Sequence, residues 1–203
     1  MARPKEFDTD AALEKAMELF WLQGYQATTL PDLVERMGIG RQSLYDTFGD
    51  KRQLFLRALD RYSDVLITGV LGALEGPDAG LDAILRFLDT VVAYQTGKPV
   101  RTACLMVNST MEMALSDPEV ASRSAAYRRR MVNAFRHALT NAETAGDITP
   151  ALPVDSLAQH LTATVFGMIV AAKAGSDTEA LRQMAQGALL VAGAPQPTAL
   201  PNS

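Results

Sequence analysis

Residues 24–51 read GYQATTLPDLVERMGIGRQSLYDTFGDK, and this stretch decides the fold. Helical spacing predicts a short helix over Pro31–Met37, with its proline in the first turn, where the missing N–H is harmless. Either threonine of Thr28–Thr29 can cap this helix. A second short helix is predicted from about Arg41 to Phe48, after a tight break at Gly38–Gly40. Two short helices joined by a glycine-containing turn are typical of a helix-turn-helix.

The two predicted helices each have an apolar and a polar face. The side chains expected to face inward are Leu30, Leu33, Val34, Met37, Ile39, Leu44 and Phe48. The opposite face of the second helix presents Arg41, Gln42, Ser43 and Asp46, with Tyr45 at one side. Arginine and glutamine are suited to bidentate contacts with guanine and adenine edges in the major groove of DNA. The second helix is therefore a candidate reading helix.

The rest of the chain is also predicted to be helical, because helical spacing recurs from end to end and strand signals are almost absent. A first helix should begin near Thr9, its possible cap, and end at Gly24. Asp50 should cap a long helix from Lys51 to about Leu74. Five more helices are expected at about residues 81–95, 102–115, 118–145, 154–173 and 178–192. The prediction is an all-α protein of about nine helices, with a disordered tail at 193–203.

Composition is that of an ordinary protein with a sizeable core, since almost half of the 203 residues are apolar. The net charge is −4, and residues 1–60 contain eight basic and ten acidic residues, so any DNA contact must depend on a focused surface. The single cysteine, Cys104, excludes an internal disulfide and fits a reducing compartment. We see no secretory leader, and the longest apolar stretches look too short to cross a bilayer. We therefore expect a cytoplasmic protein without a membrane partner.

The sequence resembles the TetR (TetR/AcrR) family of transcriptional regulators over roughly residues 7–62. Four family features occur in order at the family's spacing: G-[YF]-x-x-T-[TS] at Gly24–Thr29, G-[IV] at Gly38–Ile39, S-L-Y-x-x-F at Ser43–Phe48 and D-K at Asp50–Lys51. One position departs from the pattern, because Gly40 stands where the family commonly has Ser or Asn. Glycine can still cap a helix, but it offers DNA no side chain.

The resemblance implies a helix-turn-helix domain over residues 1–50 and a helical ligand-binding and dimerisation domain over residues 51–192. It also implies that Thr29, Tyr45 and Lys51 hold backbone phosphates, which fixes register without reading sequence. Arg41, Gln42 and Ser43 would meet base edges. Two alternatives remain open from the residues themselves: Tyr45 could cover the rim of a small core, and Lys51 could belong to a solvated helix face.

The last two predicted helices are rich in small and apolar residues at helical spacing. In TetR-type proteins, these helices pair with those of a second subunit. The residues expected to dimerise are Leu157, Leu161, Val165, Met168, Leu181, Met184 and Ala188. The resemblance thus implies a homodimeric repressor that binds a palindromic operator and is released by a small-molecule or redox signal. The alternative is that these residues pack only within their own chain.

Cys104 belongs to a string, CLMVNSTME, that resembles a C-L-[ML]-V-N-x-x-x-E stretch of one TetR subgroup. A cysteine at this place sometimes senses electrophiles or oxidants in that subgroup, which makes Cys104 a redox candidate. A reactive cysteine needs a lowered pKa and access to solvent. The apolar neighbours Leu105–Val107 favour the simpler interpretation, a small buried side chain.

Other functional classes are disfavoured by the sequence. His137 and His160 are far apart, and no metal-ligand spacing, G-x-S-x-G motif or phosphate-binding glycine loop is present, so neither an enzyme, a metal site nor a cofactor is expected. A helical scaffold that keeps the helix-turn-helix without binding DNA is the second alternative. Its support is Asp46 and the net-negative first sixty residues.

Overall fold

A computed structural model describes residues 7–96 and 103–195. The predicted tail lies outside the described residues from 196 onward. Throughout these ranges the regular elements are helices: α1 (Thr9–Gln23), α2 (Leu30–Met37), α3 (Arg41–Phe48), α4 (Lys51–Tyr62), a π-helical turn (Ser63–Ile67), α5 (Thr68–Glu75), α6 (Leu81–Thr96), α7 (Leu105–Met113), α8 (Pro118–Ala145), α9 (Val154–Ala174) and α10 (Thr178–Val191). The all-α prediction is confirmed.

The predicted helix from Lys51 to about Leu74 corresponds to α4, the π turn and α5 in succession. Counted in this way, the described part of the chain contains nine helices, as predicted. Two boundaries need correction. Asp8, and not Thr9, caps α1, because its carboxylate accepts hydrogen bonds from the amides of Asp10 and Ala11. The helix predicted from about residue 102 begins at Leu105, since Ala103 has a left-handed φ of 55° that no helix continues.

The chain forms two compact units. One contains Met1–Ile67 and Cys104–Ala125, and the other contains Thr68–Ala103 and Ala126–Ser203. Helix α7 and the start of α8 therefore belong with the helix-turn-helix. The domain boundary near residue 50 that the resemblance implies stays a prediction.

The core of the first unit is built where α1 packs against α2 and α4. Phe20 and Phe55 are fully buried, and their ring centroids lie 5.0 Å apart in an edge-to-face arrangement. Of the side chains predicted to face inward, Leu33, Met37, Ile39, Leu44 and Phe48 are buried, whereas Leu30 and Val34 are half-buried. The helix pair is thus fixed by its apolar face, which leaves the polar face of α3 outward.

In the second unit, α6 packs against α5, α9 and α10. Contrary to the expectation that no apolar stretch is long enough to cross a bilayer, helix α9 is long and apolar enough by length and composition, with 21 residues and an 18-residue window of mean hydropathy 1.2. A core helix passes the same test. Leu157, Leu161, Val165 and Met168 of α9 are all buried within the helical core.

Candidate nucleic-acid interface

Helix α2 begins with a complete capping box. The Thr29 hydroxyl accepts a hydrogen bond from the Asp32 amide at 3.3 Å, and the Asp32 carboxylate accepts from the Thr29 amide at 2.9 Å. The Thr29 hydroxyl also donates a hydrogen bond to the Asp32 carboxylate, with 2.7 Å between Oγ1 and Oδ2. These hydrogen bonds from Thr29 lower the pKa of Asp32. Thr29 is therefore confirmed as the cap of α2, and its side chain is held at the exposed start of this helix.

The turn between α2 and α3 depends on glycine. Gly38 has a φ of 70°, a left-handed conformation that favours glycine, and its amide donates to Val34 and Glu35 carbonyls to close α2. Gly40 then stands at the N-cap of α3, which has no side-chain capping hydrogen bond. The chain thus turns from α2 to α3 within three residues.

Helix α3 presents Arg41, Gln42, Tyr45 and Asp46 at the surface. The Arg41 guanidinium lies 5.8 Å from the centre of the Tyr45 ring, and the Gln42 amide donates to the Asp46 carboxylate at 2.8 Å. Tyr45 is 38% exposed, which argues against a role in covering the core. Ser43 is half-buried and has less surface to offer a ligand.

Lys51 stands at the start of α4, where Asp50 caps the helix through the Gln53 amide. Its ammonium lies 4.3 Å from the centre of the Tyr25 ring. Burial lowers the pKa of Lys51, and the same partial burial raises the pKa of Tyr25. Lys51 is therefore half-buried and packed over an aromatic ring, which favours a positioned side chain over the solvated-face alternative.

Glu112 of α7, which no sequence pattern marked as a site residue, reaches this region. Its carboxylate accepts hydrogen bonds from two consecutive backbone amides, Tyr25 at 3.0 Å and Gln26 at 2.7 Å. These amides belong to the turn between α1 and α2. The CLMVNSTME string quoted for Cys104 ends at this glutamate, so that string was the available signal.

Two ion pairs connect α4 to the segment that starts α8. Arg52 donates two hydrogen bonds to the buried Asp117 carboxylate, at 2.6 and 2.9 Å, and Arg123 donates two to Asp60, at 2.7 and 2.9 Å. The paired guanidinium lowers the pKa of Asp117 to about 2. Asp117 also accepts from the Glu119 amide in the first turn of α8. The Arg52 side chain therefore has a structural role.

Comparisons with known proteins agree with the helix-turn-helix described above. The family of bacterial regulatory proteins called tetR matches residues 12–58, and the tetracyclin repressor-like C-terminal domain matches residues 80–188. The transcriptional regulator YezE of Bacillus subtilis is 34% identical over 183 residues, 90% of this chain and 94% of YezE. The repressor ComR of Escherichia coli is 33% identical over 184 residues, 90% of this chain and 88% of ComR. The chain belongs to the TetR family.

Solved structures of the TetR family include a similar regulator, CifR. A triple cysteine mutant of CifR in complex with 26-base-pair double-stranded operator DNA has a TM-score of 0.78 and 30% identity, covering 93% of this chain and 98% of that one. The protein described here is thus a TetR-family helix-turn-helix DNA-binding transcriptional regulator and not an enzyme, as predicted. Within the described residues, we find no group of three or more His, Cys, Asp or Glu side chains that could hold a metal ion.

The residues predicted to dimerise this TetR-family protein lie inside its own helical core. Leu157, Leu161, Val165, Met168, Leu181 and Ala188 are buried, and Met184 is half-buried. The six buried side chains have almost no surface left for a second subunit. The outward face of α9 and α10 is formed by other residues of these two helices. The exposed ones include Ala163, Val170, Gly187, Leu190 and Val191. We call these five residues the α9–α10 face.

Cys104 is the N-cap residue of α7 and is buried, with 6% of its surface exposed. This burial matches the simpler of the two interpretations, in which the cysteine fills space in the core. An oxidant would have to reach a thiol that solvent barely touches.

Proposed function

We propose that this protein is a dimeric repressor that reads a palindromic operator and leaves it when a small molecule binds. The observation that carries the proposal is the outward face of α3, where Arg41 and Gln42 are exposed while Leu44 and Phe48 anchor the helix in the core. A rigid helix with such a face fits the major groove. ComR is a repressor, and CifR binds operator DNA; both facts support the proposal by similarity.

Within this proposal, each site residue has a distinct role. Arg41 and Gln42 contact base edges, with Ser43 contributing from its half-buried position. Thr29 and Tyr45, at the start of α2 and on the surface of α3, hold phosphates and fix register. Lys51 supplies a positive charge close to them, although its place over the Tyr25 ring restricts its reach.

The net negative charge of the first sixty residues opposes DNA binding less than composition suggests. Several acids of the first sixty residues are engaged at helix starts or in ion pairs. Asp8 and Asp50 cap helices, and Asp32 completes the capping box of α2. Glu14, Glu18 and Asp60 pair with Arg61, Arg36 and Arg123. Their charges are compensated locally by helix N-termini or guanidinium groups. The field at the operator is therefore set by the charges nearest to DNA, Arg41 and Lys51 against Asp46, more than by the total of the chain.

The dimer in this proposal uses the α9–α10 face. Single exposed apolar residues are ordinary, but Val170, Leu190 and Val191 lie on the same two helices and are 42–48% exposed. Close to them, α9 and α10 form a shallow groove whose lining includes the small residues Ala163 and Gly187, which would let two copies approach closely. A two-fold dimer places two α3 helices on the two halves of a palindrome.

Release from DNA is proposed to be a population shift, in which the effector binds the DNA-free state more tightly than the DNA-bound state. We favour a small molecule over a redox signal because Cys104 is buried. A cytoplasmic location follows from the proposed contact with DNA.

The test is selection from a library of random double-stranded DNA at two salt concentrations. The matched control is the double variant Arg41→Ala/Gln42→Ala, whose changes are both on the exposed face of α3 and leave the core intact. We expect the wild-type protein to enrich a palindrome, with retention falling steeply as salt rises, and the control to enrich nothing. Equal behaviour of the two proteins, or no enrichment by either, would refute the proposal and favour the scaffold alternative.

A further inference from the structure

Glu112 connects α7 to the turn before α2 through two hydrogen bonds. Its two carboxylate oxygens are used separately, Oε2 by the Tyr25 amide and Oε1 by the Gln26 amide. A carboxylate that accepts two backbone N–H groups makes charge-assisted hydrogen bonds, which are stronger than neutral ones. The turn between α1 and α2 is thus attached to a helix that lies about 86 residues further along the chain.

Gly24, which ends α1, lies directly against the Glu112 carboxylate. Its φ is 81°, and a Cβ added to it would lie 3.0 Å from the Oε2 atom of Glu112. Any side chain at this position would therefore meet both backbone strain and the carboxylate. The Gly24 carbonyl also accepts a hydrogen bond from the buried Thr28 hydroxyl at 2.6 Å. The turn is closed on one side by Glu112 and on the other by Thr28.

The same turn leads directly to the groups expected to hold phosphates. Thr29, the cap of α2, follows Thr28 in the chain, and the Tyr25 ring carries the Lys51 ammonium at 4.3 Å. A shift of the Tyr25–Gln26 backbone would move the start of α2 and the ring beneath Lys51 together. Helix α7 also packs against α4, and Lys51 is the first residue of α4. A displacement of α7 would therefore affect both the turn before α2 and the start of α4.

We propose that Glu112 is a positioning residue for DNA binding, which holds the turn before α2 and thereby makes the affinity for the operator depend on the position of α7. The inference rests on the proposed function, in which α2 and α3 engage an operator. An effector that displaces α7 would free the Tyr25 and Gln26 amides and weaken operator binding.

The test compares Glu112→Gln and Glu112→Asp with the wild-type protein and with Glu143→Gln, which removes an exposed charge from α8 in the other unit. Glutamine replaces one accepting oxygen by a donor, and aspartate keeps the charge but is one methylene shorter. Hydrogen exchange at the Tyr25 and Gln26 amides reports on the turn without DNA. Affinities for the selected operator and for a scrambled duplex of equal length report on function.

In both Glu112 variants, we expect faster exchange at these amides and about tenfold weaker operator binding, the factor for one charge-assisted hydrogen bond. Binding to the scrambled duplex should weaken as well, because Thr29 and Lys51 are expected to hold phosphates of any sequence. Glu143→Gln should match the wild type in every measurement. Unchanged exchange, or operator affinity within twofold of wild type, would overturn this inference alone. A wild-type protein that binds no duplex would overturn the proposed function as well.

Discussion

The Gln42 side-chain amide donates a hydrogen bond to the Asp46 carboxylate, one turn further along α3, with 2.8 Å between Nε2 and Oδ1. The second amide proton and the carbonyl oxygen of Gln42 remain available, so the amide can still donate to and accept from an adenine edge. An acidic residue on a helix expected to face phosphates is otherwise unfavourable. We expect this contact to orient the amide of Gln42.

Replacing Asp46 with alanine separates orientation from charge. We expect Asp46→Ala to bind scrambled DNA more tightly, since a negative charge near the phosphates is gone. Discrimination at the base pair that Gln42 is proposed to read should weaken, by up to about 1–3 kcal/mol, the value of a good bidentate contact. The measurement is a set of dissociation constants for operators with each base pair substituted in turn. A uniform gain at all positions would show that Asp46 acts only through its charge; Asp64→Ala on the π turn is the control.

Lys51 should contribute to affinity but not to sequence preference. We expect Lys51→Gln to weaken binding about equally for all duplexes and to reduce the salt slope by about 1, because one phosphate contact is lost. Loss of its contact with the Tyr25 ring should also lower the free energy of unfolding by about 0.5–1 kcal/mol. Binding titrations at several salt concentrations and denaturant unfolding measure the two effects. Arg129→Gln, on the exposed part of α8, should change neither; a base-specific loss in Lys51→Gln would contradict the assignment.

The capping box at Thr29 can be tested by restoring its chemistry. Thr29→Val keeps the shape but removes the hydroxyl that accepts from the Asp32 amide, and we expect a loss of about 1 kcal/mol in the free energy of unfolding. Thr29→Ser should recover most of this stability because serine caps equally well. Urea unfolding of the three proteins gives the comparison. If the valine and serine variants are equally stable, the cap contributes nothing to folding.

Asp117 gives a pH dependence of stability with a definite sign. Its folded pKa, about 2, is below its ordinary value, so its ion pair with Arg52 stabilises the fold above that ordinary value and is lost as pH falls toward 2. We expect Asp117→Asn to lower the free energy of unfolding by about 2 kcal/mol at neutral pH. The difference from wild type should shrink between about pH 5 and pH 2. Denaturant unfolding across this range tests it, and a constant difference would contradict it.

Local signals account for what the sequence predicted well. The approximate bounds predicted for α3 and α8 agree with the structure, because Gly40, Gly49, Pro118 and Gly146 mark their ends. Glu112 and the pair of Arg52 with Asp117 were missed, since their contacts join positions 65 to 87 residues apart and depend on tertiary geometry.

Helical periodicity has a further limit, visible in α9 and α10. It identified Leu157 and Leu181 as members of apolar faces, but it does not tell whether such a face is covered by the same chain or by another. In the structure, the same chain covers them. The exposed face of the same helices includes small residues such as Ala163 and Gly187, which made it difficult to recognise from sequence.

Gly187 allows the proposed dimer to be tested without disturbing the subunit. It is exposed on α10, and a Cβ added to it would meet no atom within 4 Å. We expect Gly187→Glu to fold at least as stably as wild type, because replacing a helical glycine costs no packing and improves helix propensity. On the α9–α10 face, however, two copies would bring like charges together at the interface. The variant should therefore sediment as a monomer at micromolar concentration, whereas the wild type sediments as a dimer.

The matched control for this variant is Gly72→Glu, the same change at an exposed glycine of α5 that also has no atom within 4 Å of an added Cβ. It should remain dimeric. Loss of the dimer should also remove the advantage of a palindrome, so that Gly187→Glu binds the full operator and a single half-site with nearly equal affinity. If Gly187→Glu remains a dimer, the α9–α10 face is not the interface; if the wild type is itself a monomer at micromolar concentration, the proposed dimer fails.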